Sequence, residues 1–322
     1  MNYLIFGGSG FIGTHLVNLL KEKYPDSNIY NLDIRENNHG GKSKFINCDV
    51  RQAINLNIAV DQNDIIFNFA AVHTTPGHPD HEYFETNIKG AENVTAFAKK
   101  FGIKKILFTS SIAPYGASEE MKTEETLPMP NTPYGISKFV AEKIHMVWQA
   151  KKDTERQLTI VRPGVVFGKG ENGNFTRLYW GIKKHRFFYP GRKDTIKASI
   201  YVKELVNFML YRIEMDRSDV EVYNCTYEPA FTIEEITDAM MKATDMKRTI
   251  YKIPGGVLKF AAGIIGALGG KSFGIHPDRV KKLMISTNIS GKKLKESDYQ
   301  FQYSFEEALK DWYNDNDNLY LE

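Results

Sequence analysis

The chain has 322 residues, 42% hydrophobic and 25% charged. This suits one large folded unit, or one with a smaller lobe attached, and excludes disorder and collagen-like repeats. Lysine and arginine number 42 against 39 acidic residues, a formal charge of +3, which argues against a broad nucleic-acid-binding face. Two cysteines, Cys48 and Cys225, cannot make a disulfide framework or a cysteine-rich zinc site; they read as inert thiols in a reducing compartment.

In chain order, Tyr3–Phe6 predicts a strand and Ile12–Lys23 a helix. Strands are expected at Ile29–Leu32, Phe45–Cys48 and Ile65–Ala70, followed by a helix over Asn87–Lys99. A strand at Ile106–Thr109, a helix at Gly135–Gln149 and a strand at Leu158–Val161 continue the alternation. Such alternation implies βαβ units and a parallel sheet covered on both faces. Beyond Gly164, glycines, aromatics and polar loops dominate. A strand at Ser199–Val202, a helix at Lys203–Tyr211, and helix starts at Thr232 (a capping-box pattern) and Ser304 are expected there. The division read from this is residues 1–165, joined by about 195–225, as one domain, and 166–322 mainly as a second lobe. The longest apolar stretch, Phe260–Gly270 between Lys259 and Lys271, is about half the ~20 residues that span a bilayer. A buried helix or a lid is expected there, with no membrane span. The opening residues carry no basic leader pattern, so the expected location is cytoplasmic.

Gly7, Gly10 and Gly13 lie between the first strand and the first helix. Glycines there let the backbone turn tightly and let a pyrophosphate approach a helix N-terminus whose N–H groups and dipole attract it. Asp33 ends the second strand, 20 residues past Gly13. A carboxylate there accepts hydrogen bonds from ribose hydroxyls and repels a 2′-phosphate, which favours NAD over NADP, although Arg35 nearby could hold such a phosphate. Asp49 is either an adenine contact or a turn carboxylate. Tyr134 and Lys138 are four apart and share a helix face. An ammonium beside the phenol favours its ionised form, so the lysine is expected to lower the tyrosine pKa.

Gly7–Gly13, Asn68-Phe69-Ala70-Ala71, Thr109-Ser110-Ser111, Tyr115-Gly116, Tyr134-x-x-x-Lys138 and Arg162-Pro163-Gly164 occur in an order that resembles the extended short-chain dehydrogenases/reductases, in the nucleotide-sugar epimerase/dehydratase branch. The resemblance implies a Rossmann-like, doubly wound parallel sheet with a smaller C-terminal α/β substrate lobe. It implies Ser111, Tyr134 and Lys138 as the catalytic set. Around the cofactor it implies Gly7, Gly10, Phe11, Ile12, Gly13, Asp33, Ile34, Arg35, Asp49, Val50, Ala70, Ala71, Asn87, Tyr134, Lys138 and Pro163. Asn87 also reads as a plain helix N-cap. A homodimer through the helices near Asn87–Lys99 and Gly135–Gln149 is a further expectation of the resemblance.

Dehydratases of this branch carry an Asp-Glu pair after the catalytic serine or threonine; here Ile112-Ala113 stands there, which argues against 4,6-dehydration. A 4-epimerase acting on a nucleoside-diphosphate sugar leads. A 4-keto-sugar reductase follows it closely, since Val165 replaces an asparagine common in galactose 4-epimerases. A sterol- or lipid-type alcohol dehydrogenase and a non-catalytic NAD sensor are the remaining rivals. Candidate substrate contacts are His73, Thr74, Ser111, Asn174, Arg192, Lys197 and Arg279, the cations suited to a diphosphate. His78 and His81 match no standard metal spacing, so no metal is expected.

Overall fold

The computed structural model describes residues 1–74, 77–150, 155–215, 219–254 and 284–322. Arg279 and the apolar stretch 260–270 lie outside them. The first half runs β1 (Asn2–Phe6), α1 (Phe11–Lys23), β2 (Asn28–Asp33), β3 (Lys44–Asn47), β4 (Ile65–Asn68), α2 (Asp80–Tyr83), α3 (Lys89–Lys100), β5 (Lys105–Thr109), β6 (Ser118–Lys122), α4 (Pro133–Gln149) and β7 (Gln157–Pro163). The second half runs β8 (Val165–Phe167), α5 (Asn174–Lys183), β9 (Tyr189–Pro190), β10 (Ile196–Lys197), β11 (Ser199–Tyr201), α6 (Val202–Glu214), β12 (Val220–Cys225), β13 (Phe231–Thr232), α7 (Ile233–Ala243), β14 (Lys252–Ile253), β15 (Thr287–Ile289), α8 (Lys292–Lys295) and α9 (Phe305–Asp315).

The apolar runs that read as strands pair in parallel, in the order β12-β7-β5-β4-β1-β2-β3. This is the doubly wound Rossmann-like order, with its reversal between β1 and β4. Ligands of such sheets sit beyond the carboxyl ends of the strands at that reversal, so the sites to inspect follow Phe6, Asp33, Asn68, Thr109 and Pro163. One face buries Leu16, Leu20, Phe67, Phe208 and Met209 beneath α1 and α6; the other buries Val94, Phe97, Phe108 and Trp148 beneath α3 and α4. A separate core joins α5, α7 and α9, where Phe167 stacks on Phe175 at 4.6 Å and Trp312 is fully buried.

The helix expected from Asn87 begins earlier. It comprises α2, a π-helical turn over Phe84–Ile88, and α3. The extra residue of a π turn changes which side chains face inward, and Asn87 in this turn is buried instead of capping a helix. Both sequence-read helix starts carry full capping boxes, Thr232 with Glu235 and Ser304 with Glu307. β12 escaped the sequence reading, although it forms the sheet edge beside β7. β6, β10, β13 and β15 form a smaller mixed sheet on the C-terminal side.

Candidate active site

Gly7 leaves β1 with a positive φ of 78° and donates its N–H to Leu32 O at 2.9 Å. A Cβ there would stand 2.6 Å from Ala70 N, and one on Gly13 would stand 2.5 Å from Gly8 O. Glycine is therefore required at both places by close backbone approach. Gly10 is the N-cap of α1 without any side-chain cap, so the helix offers free N–H groups to an anion. His39, which the sequence reading passed over, braces this loop: its Nε2 lies 3.1 Å from Gly8 O and its Nδ1 2.7 Å from Ser43 Oγ. Phe11 begins α1 and packs edge-on against His15, with Ile12 beside it.

Asp33 ends β2 and is 7% exposed. Its Oδ2 accepts from Ser9 N at 3.0 Å and its Oδ1 from Arg35 N at 2.9 Å. Two backbone donors thus aim the carboxylate toward the loop, while Ile34 and Arg35 are exposed. Asp49 caps the Arg51 N–H and grips its guanidinium at 2.7 Å, and this pairing holds its carboxyl below the usual range. Val50 is buried against Gly90. Ala70 and Ala71 are half-buried in the loop after β4, and Asn87 ties that loop down: Oδ1 accepts from Val72 N at 2.8 Å, and Nδ2 donates to Val72 O at 3.0 Å and to Ser137 Oγ at 2.8 Å. Pro163 closes β7 and accepts from Ile112 N at 3.2 Å.

Thr132 accepts from Gly135 N at 3.1 Å, and Pro133 opens α4, so Tyr134 falls in the first helical turn and Lys138 one turn later. Ser111 follows β5 and hydrogen-bonds the Tyr134 phenol, whose ring lies 6.2 Å from that of Tyr83. The structure thereby brings Ser111, Tyr134 and Lys138 together at the sheet edge that carries the glycine loop. Their electrostatics differ from the sequence expectation. Burial pushes the Tyr134 phenol up, against the Ser111 hydrogen bond. Burial likewise pulls Lys138 down to about 7, with the Glu142 carboxylate pulling the other way. Lys138 is 2% exposed, and its ammonium rests 4.4 Å from the Phe108 ring centroid. Withdrawal from water dominates both groups, because little solvent reaches either to stabilise charge.

Four buried residues lie beside this set: Ser110, Tyr115 and Arg162, read from the sequence only as members of motifs, and Glu142, which was not singled out. Glu142 Oε1 accepts from Ser110 Oγ at 2.5 Å and from Arg162 Nε at 2.8 Å, while Oε2 accepts from Arg162 Nη2 at 2.6 Å. Arg162 Nη1 donates to Tyr115 Oη at 2.5 Å. The available signal was Glu142 four residues past Lys138 on the same helix face.

The expected substrate contacts are less gathered. Arg192 is taken up by Asp194 at 2.8 Å and Glu119 at 3.0 Å. Lys197 is half-buried, donates to Ile285 O at 2.7 Å, and is pulled down to about 8 by burial. Asn174 is exposed at the start of α5 and accepts from Arg177 at 3.0 Å. His73 and Thr74 lie in the exposed loop after β4, where Tyr83 Oη donates to Thr74 O. Among the described residues, no group of three His, Cys, Asp or Glu is placed to hold a metal, and no helix is long and apolar enough to cross a membrane.

Residues 3–226 match the model of the NAD dependent epimerase/dehydratase family. The N-acetyl-alpha-D-glucosaminyl-diphospho-ditrans,octacis-undecaprenol 4-epimerase of Escherichia coli O157:H7 is 31% identical over 311 residues, 96% of this chain and 93% of that protein. The UDP-glucose 4-epimerase of Lactobacillus helveticus is 29% identical over 274 residues, 76% of this chain and 82% of that protein. The fold is similar to that of the UDP-glucuronic acid 4-epimerase from Bacillus cereus in complex with NAD, with a TM-score of 0.72 at 19% identity, covering 99% of this chain and 100% of that one. With a family model spanning more than half its length and a 31% identical relative aligned almost end to end, the chain belongs to the NAD dependent epimerase/dehydratase family.

Proposed function

We propose that the chain is an NAD-dependent 4-epimerase of a sugar carried on a diphosphate, and that a nucleoside diphosphate is the carrier. The observation that carries this reading is the Ser111–Tyr134–Lys138 cluster at the same sheet edge as an uncapped glycine-rich helix start. The glycine cradle, where a Cβ would strike backbone at Gly7 and Gly13, fits a dinucleotide pyrophosphate, and Asp33 fits its ribose. Bound NAD would supply the two-electron exchange at the sugar carbon. Tyr134 Oη takes the proton from the C4 hydroxyl and, after the 4-keto sugar has turned to present its other face, returns it to the C4 oxygen. Ser111 donates a hydrogen bond to the sugar oxygen as its charge changes, and Lys138 supplies positive charge beside the phenolate. Residues 1–165 with about 195–225 serve the cofactor, and 166–322 mainly the sugar. Lys197, whose pKa burial brings down to about 8, is a candidate contact for a diphosphate.

A second reading, with a polyprenol diphosphate as carrier, is favoured by one observation: the relative aligned over 96% of this chain is named for such a substrate. We further assign a homodimer through the outer faces of α3 and α4, where Val147 is 67% and Ile136 38% exposed. A cytoplasmic location is supported by the free, buried Cys48 and Cys225.

The test is to denature the purified protein, assay released NAD(H), and then offer UDP-sugars and an N-acetylglucosaminyl-diphospho-polyprenol without added cofactor. A C4 epimer from one carrier supports the reading and selects the carrier. Product only with added NADH would replace epimerisation with reduction. Tyr134→Phe should cut turnover at least ~10²-fold and leave NAD binding nearly intact.

A further inference from the structure

The segment between β2 and β3 leaves the sheet after Asp33 and rejoins it at Lys44. Of residues 34–42, only His39 is buried, at 9% exposure. Apolar burial therefore cannot hold this segment in place. His39, Gly40 and Gly41 also follow one another at φ 53°, 65° and 87°. A residue with a Cβ enters that left-handed region at a cost, and stays there only when its surroundings fix it.

His39 is fixed through both ring nitrogens. Nε2 lies 3.1 Å from Gly8 O, and Nδ1 lies 2.7 Å from Ser43 Oγ. Burial pulls the ring below its ordinary value, so at pH 7 it is neutral and carries one N–H. A carbonyl can only accept, so that hydrogen sits on Nε2, and the Ser43 hydroxyl donates to Nδ1. The bond to Gly8 O acts across a peptide unit. Gly8 O and Ser9 N belong to one planar trans amide, whose C=O and N–H point opposite ways. His39 holds the oxygen, and Asp33 Oδ2 accepts from Ser9 N at 3.0 Å. The amide is thus gripped at both ends, by the ring on one side and by the carboxylate on the other. The Ser9 hydroxyl ties the same unit to the segment, donating to Arg35 O at 2.6 Å and accepting from Asn31 Nδ2 at 2.8 Å. The aim of Asp33 depends on how this amide is turned, and His39 turns it.

We propose that His39 is a positioning residue for dinucleotide selection: by holding the Gly8–Ser9 amide it aims Asp33 at the adenosine ribose, and so sets the preference for NAD over NADP. The proposal rests on the cofactor assignment given above. The full chain, freed of any retained nucleotide, is titrated calorimetrically with NAD and with NADP. His39→Asn keeps an acceptor for Ser43 and tolerates a positive φ, but its amide falls short of Gly8 O. His39→Gln places an amide N–H where Nε2 stood and keeps the Gly8 bond. His39→Asn should weaken NAD about 5- to 10-fold, the loss of one hydrogen bond, and NADP no more than about twofold. His39→Gln should stay within about threefold of wild type for NAD. With Asp33→Ala already present, adding His39→Asn should cost NAD less than about twofold, because the carboxylate it acts through is gone. A merely loosened loop would weaken both nucleotides alike, with or without Asp33. Equal losses of NAD and NADP in His39→Asn, a Gln variant as weak as the Asn variant, or additive losses in the double variant would each overturn the proposal. Failure of either single variant to fold, read by urea unfolding, would reduce His39 to a scaffold residue and overturn it as well. A wild-type chain without preference for NAD would remove the cofactor reading itself, which separates that failure from this one.

Discussion

Gly7→Ala tests whether the loop geometry described above is required. Gly7 has φ +78°, and a residue with a Cβ costs about 1–2 kcal/mol in that left-handed region. The new Cβ would also meet Ala70 N at 2.6 Å, where ordinary contact begins at 3.4 Å, so a shift of 3.4 − 2.6 = 0.8 Å is needed. Neither side yields easily: Gly7 N is bonded to Leu32 O at 2.9 Å, and Phe69 N to Phe6 O at 2.8 Å. Overpacking of this kind adds about 1–3 kcal/mol, for a total of about 2–5 kcal/mol. Gly102 is the control, because its φ is +68° but its nearest neighbour to a Cβ is Gln62 Cβ at 3.8 Å. Gly102→Ala should lose only the backbone share, about 1–2 kcal/mol. Urea unfolding reads the stabilities, and calorimetric titration reads NAD binding. NAD affinity should fall at least about tenfold for Gly7→Ala and stay unchanged for Gly102→Ala. Equal unfolding midpoints and equal NAD affinities in the two variants would refute the close-approach argument.

Asp33→Ala removes the acceptor of Ser9 N and Arg35 N; it should weaken NAD by about 10- to 100-fold and NADP by less, and equal losses in titrations of both would remove Asp33 from ribose binding. Lys138 has its folded pKa depressed to about 7, well below its unfolded value, so between pH 7 and pH 10 the unfolded chain binds more protons and the group makes stability rise with pH. Lys138→Met should therefore flatten that rise by up to about 1.4 kcal/mol per pH unit in urea unfolding at stepped pH; parallel slopes would contradict the burial of an ammonium there. Val147→Glu places charge on the 67% exposed side chain of α4 and should convert the proposed dimer to monomers in sedimentation without loss of helicity; an unchanged mass would overturn the assignment of α4 to a dimer interface.

The parallel sheet, the glycine loop and Asp33 were legible because each is written locally: apolar runs of strand length, glycines at a strand–helix junction, and a carboxylate one strand later. The Tyr134/Lys138 face was legible for the same reason, as four residues make one helical turn. Neither the charge balance of that pair nor its buried surroundings could be read this way. Its electrostatics depend on how far water is excluded by Phe108, Tyr83 and Ser111, which come from three separate segments. The π turn at Phe84–Ile88 likewise lacks a local signature, and it alone decides that Asn87 holds the Val72 loop. β6 pairs with β15 some 170 residues away through the polar run Ser118–Lys122, so no period of two marks it.

What the sequence by itself determined is therefore the order of most elements, the fold class, the glycine loop between β1 and α1, and the shared helix face of Tyr134 and Lys138, since short-range spacing and apolar patterning suffice for these. Only the tertiary structure decided which charges are buried together. Glu142, Ser110 and Arg162 are 32 and 20 residues apart along the chain, yet they meet within 2.5–2.8 Å because β5 and β7 are neighbours beneath α4. The energy of a charge depends on what surrounds it in space, and that is settled when the sheet closes beneath its helices.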